Sequence, residues 1–175
     1  MSYIYLVPIH LHSSGCLEAL QRCVERAFSI RTKCSTFQID LPGTFDPLRK
    51  QYCSSLILRQ LIAAPPADAY KILGITAVDL FIPILTYVFG EAQLDGIGAV
   101  VSLHRLKNQF YGLPEDEGLM HDRLLKEAVH ELGHTFGLLH CTQPGCALNA
   151  STYVEDIDQK SRELCSNCRE AIGLK

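Results

Sequence analysis

The sequence predicts an α/β fold of the α+β kind, in which a twisted, mixed five-stranded sheet with one antiparallel edge strand is backed by helices. Three observations predict it. Runs rich in β-branched and aromatic residues alternate with runs whose apolar residues recur every three or four positions. Two strand-like runs between positions 87 and 103 are joined by a short turn carrying Asp95 and Gly96, which makes them an antiparallel pair. A helical stretch bearing two histidines stops at Gly137, and the chain beyond it holds four of the eight cysteines. At 175 residues and 47% hydrophobic content, the chain is expected to be a single domain, with 1–137 carrying sheet and helices and 138–175 a small C-terminal subdomain.

Residues 3–7 read as the first strand. Leu17, Leu20, Val24, Ala27 and Phe28 then mark a helix with one buried face. Cys16 and Cys23 ride that helix seven apart and are expected as small buried side chains, while Cys34 and Cys53, without a partner at metal spacing, are expected as packing residues. Phe37 and Ile39 predict a second strand. Asp46 before Pro47 predicts an N-cap and first-turn proline opening a helix that runs to about residue 62. The Ala-Ala-Pro-Pro-Ala run at 63–67 breaks it, and 70–75 is a third strand. Strands at 87–92 and 98–103 follow. A helix over 122–136 then places Leu124, Leu125, Ala128, Leu132 and Phe136 toward the core.

That last helix carries the chemistry. His130 and His134 stand four residues apart, so they lie on one face and can reach one metal ion together. Glu131 sits about 100° round the helix from His130, close to a metal-bound water without taking a coordination position. His140 is six residues past His134, and on a continued helix it would point about 120° away. The helix must therefore end, and Gly137 is where it can reverse so that His140 returns as a third ligand. Three neutral imidazoles leave one zinc position for water, whose pKa falls to about 7 on the metal. Zinc would polarise a carbonyl oxygen while Glu131 takes the water proton and hands it to the leaving amine, so peptide-bond hydrolysis fits best. The alternative for the motif alone is a buried helix with incidental histidines.

Cys141 and Cys146, with the later C-x-x-C of Cys165 and Cys168, form two close pairs. Brought together by a loop, they make a closed four-cysteine zinc site with no position left for water. Two disulfides or free thiols are the other readings, and the absence of a secretory signal counts against the first. Two zinc ions per chain are expected, one catalytic and one structural.

The run HELGHTFGLLHC, four residues between Cys141 and Cys146, and the closing C-x-x-C resemble the archaemetzincin family of zinc metallopeptidases, in the metzincin clan. The segments VFGEAQ at 88–93 and VSLHRL at 101–106 extend the resemblance over nearly the whole chain. It implies a metzincin-like fold, His130, His134 and His140 as catalytic zinc ligands, Glu131 as base, and Cys141, Cys146, Cys165 and Cys168 as the second zinc site. It also implies an aminopeptidase and points to the edge strand at 87–93 as the place where a substrate adds as one more strand. Gly90 there either lets a peptide backbone approach closely or marks a bulge. Glu91 either meets a substrate amino terminus or is a solvated edge charge, and Ala92 completes the expected substrate-binding trio. One departure stands out. Where the family has methionine two residues after the second cysteine, on the turn beneath the metal, this chain has Leu148, a nearly volume-conserving exchange. The spacing from this turn to Cys165 is also about one residue shorter than usual.

A net charge of -3 predicts no polyanion-binding surface, so nucleic acid is not expected as a partner. The apolar start lacks a charged n-region and cleavage site, and no apolar run approaches the roughly 20 residues that span a bilayer. A monomer in the cytoplasm, without membrane contact and acting on peptides or proteins, is the expectation. Its alternative is a zinc-stabilised peptide-binding module that does not cut. His10, His12, His104 and His121 lack ligand spacing and are expected as surface or hydrogen-bonded residues. Tyr153 lies five residues past Leu148; it is not expected as a ligand, though its hydroxyl is within reach of a cleft role.

Overall fold

The computed structural model describes residues 2–11 and 15–174; His12 lies outside them. Its main sheet has five strands, β1 (Tyr3–Ile9), β2 (Thr32–Cys34), β5 (Ala69–Thr76), β7 (Gly90–Ala92) and β8 (Gly98–Ser102), in the order β2-β1-β5-β8-β7. All neighbours are parallel except β7, which runs antiparallel to β8 at the edge. The expected mixed sheet with an antiparallel edge strand is therefore present. A smaller sheet, not foreseen, joins β3 (Phe45–Asp46), β4 (Gln51–Cys53) and β6 (Leu80–Phe81) in the order β3-β4-β6.

Both faces of the main sheet are covered, as parallel strands require. Along β1 the side chains alternate. Ile4 and Leu6 enter one apolar cluster with Leu73, Ile75 and Val101, packed under α1 (Leu17–Phe28) and α3 (Glu117–Thr135). Tyr5 and Val7 enter the other with Ile72 and Val100, packed under Ile57 and Leu61 of α2 (Ser54–Leu61). Residues beyond Gly137, including Leu138, Ala147, Leu148, Ile157 and Leu164, join the first cluster. Two short helices, α4 (Val154–Gln159) and α5 (Ser166–Ala171), close the chain.

Three local expectations are corrected. The second strand is Thr32–Cys34 rather than 37–39; Phe37 instead meets Tyr5 at a ring separation of 6.5 Å and packs against the second cluster as irregular chain. Asp46 does not cap a helix. Its carboxylate accepts from the Leu48 and Arg49 amides, turning the chain back into β4, so α2 starts at Ser54, seven residues later than the predicted first-turn Pro47. Cys34 is exposed rather than packed, whereas Cys16 is buried and Cys23 and Cys53 are intermediate. No helix among the described residues is long and apolar enough to cross a membrane.

Candidate active site and metal-ligating groups

The helix α3 is fixed at both ends. At its start the Asp116 carboxylate accepts from the Leu119 amide at 2.8 Å, an N-cap that lengthens the helix beyond the predicted 122–136. At its end Gly137 has φ 86°, and the Leu138 and Gly137 amides donate to the Gly133 and His134 carbonyls. This is a Schellman stop, and it turns the chain back toward the helix. The buried Lys71 ammonium donates to the Thr135 carbonyl at 2.6 Å and to the Gly96 carbonyl at 2.7 Å, so a cation sits on the negative end of the helix and joins it to the β7–β8 turn. The Asp95 amide in that turn donates to the His134 carbonyl.

With the helix so placed, one ligand nitrogen each from His130, His134 and His140 lies within 4.8 Å of the others. The Nε2 atoms of His130 and His134 are 3.1 Å apart. Tetrahedral zinc with bonds of about 2.05 Å to nitrogen separates its imidazole nitrogens by about 3.3 Å, so the pair fits the ion. Nδ1 of His130 lies 2.9 Å from the Ala147 carbonyl, and Nδ1 of His134 lies 2.7 Å from the Leu138 carbonyl. An Nδ1–H donating to each carbonyl leaves both Nε2 lone pairs free for a metal. Burial lowers the pKa of both rings, and for His130 the nearby Lys160 charge lowers it further, so both are neutral imidazoles near pH 7.

Glu131 is buried in the wall of the same cleft, a cavity of about 530 Å³ that His130, His134, His140, Gly90, Glu127 and Tyr153 also line. Burial, reinforced by Glu127, raises its carboxyl pKa well above the ordinary 4.5. That is what a proton carrier working near neutral pH requires. Gly90 is the reason Glu131 has room. A β-carbon at Gly90 would stand 2.6 Å from both Glu131 Cγ and the Val100 carbonyl oxygen. The β7–β8 register is regular through Gly90, so the glycine is not a bulge. Glu91 points elsewhere: its carboxylate accepts from Ser54 Oγ at 2.5 Å and Ser55 Oγ at 2.8 Å, anchoring β7 on α2. Neither Glu91 nor Ala92 lines the cleft. Across the cleft mouth, Tyr87 Oη donates to the Thr152 carbonyl at 2.7 Å.

The four predicted cysteines also converge. Cys141 and Cys165 have sulfurs 3.8 Å apart, as do Cys146 and Cys168. Tetrahedral zinc with bonds of about 2.3 Å to sulfur spaces its thiolates by about 3.8 Å, whereas a disulfide needs about 2.05 Å. All four are free thiols, so the disulfide reading is excluded and the geometry matches a closed metal site. Burial pushes Cys146 and Cys168 up; Cys165 feels the same push, but its hydrogen bonds to the Cys168 backbone and the other three sulfurs overcome it and bring it down to about 7. Among the other histidines, His104 packs edge-on to Phe110 and His10 is exposed.

Two residues of the site had not been singled out. Glu127 lies one helical turn before Glu131, a spacing that would have found it. Lys160 had no signal in the sequence. A second cavity, of about 590 Å³, is lined by Arg22, Arg26, Arg162 and Arg169 and holds none of the ligand groups, so ligand chemistry rather than volume marks the active cleft.

A buried helix offering two imidazoles and a carboxylate to a cleft, with a third imidazole returned by a glycine stop, defines the class: this is a zinc metallopeptidase. Residues 57–173 match the model of peptidase family M54. Archaemetzincin from Methanocaldococcus jannaschii is 41% identical over 136 residues, covering 77% of this chain and 74% of that protein. Archaemetzincin from Thermococcus kodakarensis is 34% identical over 178 residues, covering 98% and 96%. A crystal structure of archaemetzincin from Methanopyrus kandleri superposes with a TM-score of 0.85 at 30% identity over 98% of this chain and 93% of its own. A zinc-dependent peptidase from Methanocorpusculum labreanum gives 0.84 at 30% identity over 97% and 100%. The chain belongs to the archaemetzincin family, peptidase family M54.

Proposed function

We propose that the chain hydrolyses peptide bonds in the cleft beside β7, with His130, His134 and His140 as the ligands of a catalytic zinc and Glu131 as the general base. The observation that carries this is the seat of Glu131: a carboxyl of raised pKa, buried next to His130 and given space by Gly90. A zinc ion held by His130, His134 and His140 would supply a Lewis acid for the scissile carbonyl and for the attacking water. Glu131 takes a proton at its carboxylate oxygen and returns it to the leaving amine. The raised pKa favours both transfers near neutral pH. The edge strand β7 offers a peptide one more line of backbone pairing. Gly90 leaves its backbone close to Glu131 and so sets the scissile bond near the base.

A second zinc at Cys141, Cys146, Cys165 and Cys168 holds residues 138–175 as a small subdomain, and with it the turn whose Ala147 carbonyl orients His130. Two ions per chain follow. The aminopeptidase preference rests on the family resemblance, since Glu91 is engaged by two serine hydroxyls. Elemental analysis with cleavage of a diverse peptide library tests the proposal: two zinc and cleavage toward free amino termini support it, and two zinc without cleavage leave a peptide-binding module.

A further inference from the structure

Beside His130 lies a buried ion pair of Lys160 with Glu127, and the proposed hydrolysis gives its cationic partner no part. Lys160 Nζ stands 2.7 Å from Glu127 Oε1, with the two side chains 1% and 3% exposed. The same ammonium donates to the Asn149 carbonyl at 3.1 Å and lies 3.2 Å from Nδ1 of His130. This contact is unusual in sign. A metal-bound imidazole ordinarily gives its second nitrogen to a carbonyl or carboxylate, which makes the ring a better donor. His130 has such a partner in the Ala147 carbonyl, yet a cation is pressed against the same nitrogen. In the form of the ring that can hold metal through Nε2, Nδ1 carries a hydrogen, so the ammonium meets an N–H rather than a lone pair. The contact is then repulsive, and it draws electron density away from Nε2.

Glu127 pairs with the ammonium at 2.7 Å and raises the Glu131 pKa, but the charge within hydrogen-bond distance of His130 Nδ1 is the ammonium, at 3.2 Å. A buried charge in contact with the back of a ligand is costly, and a mere tie between α3 and the 147–149 turn could be made by a neutral donor.

We propose that Lys160 is a positioning residue that holds the zinc site in a weakened-donor state: its ammonium opposes metal binding at His130 and leaves a bound ion more electron-poor. This rests on the reading of His130, His134 and His140 as metal ligands. It predicts that removing the charge tightens metal binding, the reverse of what loss of a structural support would do.

The test is chelator competition with Co²⁺ at the three-imidazole site, whose visible bands are separate from the thiolate charge-transfer bands of the four-cysteine site, in the full chain. The principal variant is the double exchange Glu127→Gln with Lys160→Met, which removes both charges together and leaves no buried charge unpaired. Lys160→Met alone is the second variant. The expected result is metal held about tenfold more tightly in the double variant, the usual scale for partners behind a ligand, with unchanged affinity at the four cysteines. The single variant, if it folds, moves in the same direction. Unchanged or weaker binding at the imidazoles in a folded double variant overturns the role given to Lys160 and leaves the peptidase reading intact. Failure of the wild-type imidazole site to take up metal overturns both.

Discussion

The two ligand clusters of this chain are built from similar local means and differ in what they leave open. In the four-cysteine cluster all four ligand positions would come from the protein, two of the cysteines are buried, and the 3.8 Å spacings match those of a closed tetrahedral site. In the three-histidine cluster the ligands run from buried to exposed, His130 to His140, and a cleft of about 530 Å³ faces them with Glu131 in its wall. Ligand count and access, more than the choice of metal, separate a staple from a reaction centre.

The comparison breaks most visibly if the staple is cut. Cys146→Ser removes one thiolate from a site of the kind that contributes about 10–16 kcal/mol of apparent binding at pH 7. The expected outcome is loss of cooperative thermal unfolding together with loss of zinc at both clusters, because the turn behind His130 hangs from the cysteine loop. Glu131→Gln does the opposite: activity falls about 10²–10⁴-fold, while zinc content and fold persist. Gly90→Ala comes next. Its β-carbon meets backbone at Val100 as well as Glu131, so peptide turnover and melting temperature both drop, where a glycine serving substrate alone would spare stability.

A smaller effect separates base from ligands by pH. In protein whose imidazole site has been emptied by chelator, His130 and His134 have folded pKa values below 6.5. Their contribution is complete above about pH 6.5 and is lost as pH falls below it. Glu131 has a folded pKa above 4.5, so its burial costs stability increasingly as pH rises past that value. Melting curves of the emptied protein should therefore show Glu131→Gln more stable than wild type by a few degrees at neutral pH, with the gap closing toward pH 4.5. The smallest effect is expected beneath the metal. Leu148 is fully buried, and its Cδ2 would lie 2.9 Å from a β-carbon at Gly133, so it already fills the floor; Leu148→Met should change stability by less than about 1.5 kcal/mol and leave zinc content alone.

Both clusters were legible because their geometry is local. The four-residue step from His130 to His134, the stop at Gly137 and the two close cysteine pairs each fix side chains through a turn or a helix. The antiparallel edge was legible for the same reason, since Asp95 and Gly96 announce a hairpin. What escaped depends on contacts distant in sequence. Asp46 with Pro47 suits a helix start and a turn equally well, and pairing of β4 with β6 decides for the turn. Phe37 and Ile39 suit a strand, but the sheet edge is taken by Thr32–Cys34. Lys160 stands 30 residues from His130, and only the folded turn between them brings its ammonium to the ring. Gly90 was marked as a place of close approach, but the group that approaches is Glu131, forty-one positions later.

The most direct test compares peptide-library cleavage by wild type and Glu131→Gln in preparations matched for zinc at two ions per chain. Cleavage by wild type alone is the predicted result and assigns hydrolysis to the imidazole cluster. Equal cleavage by both proteins, or none by fully loaded wild type, would contradict it.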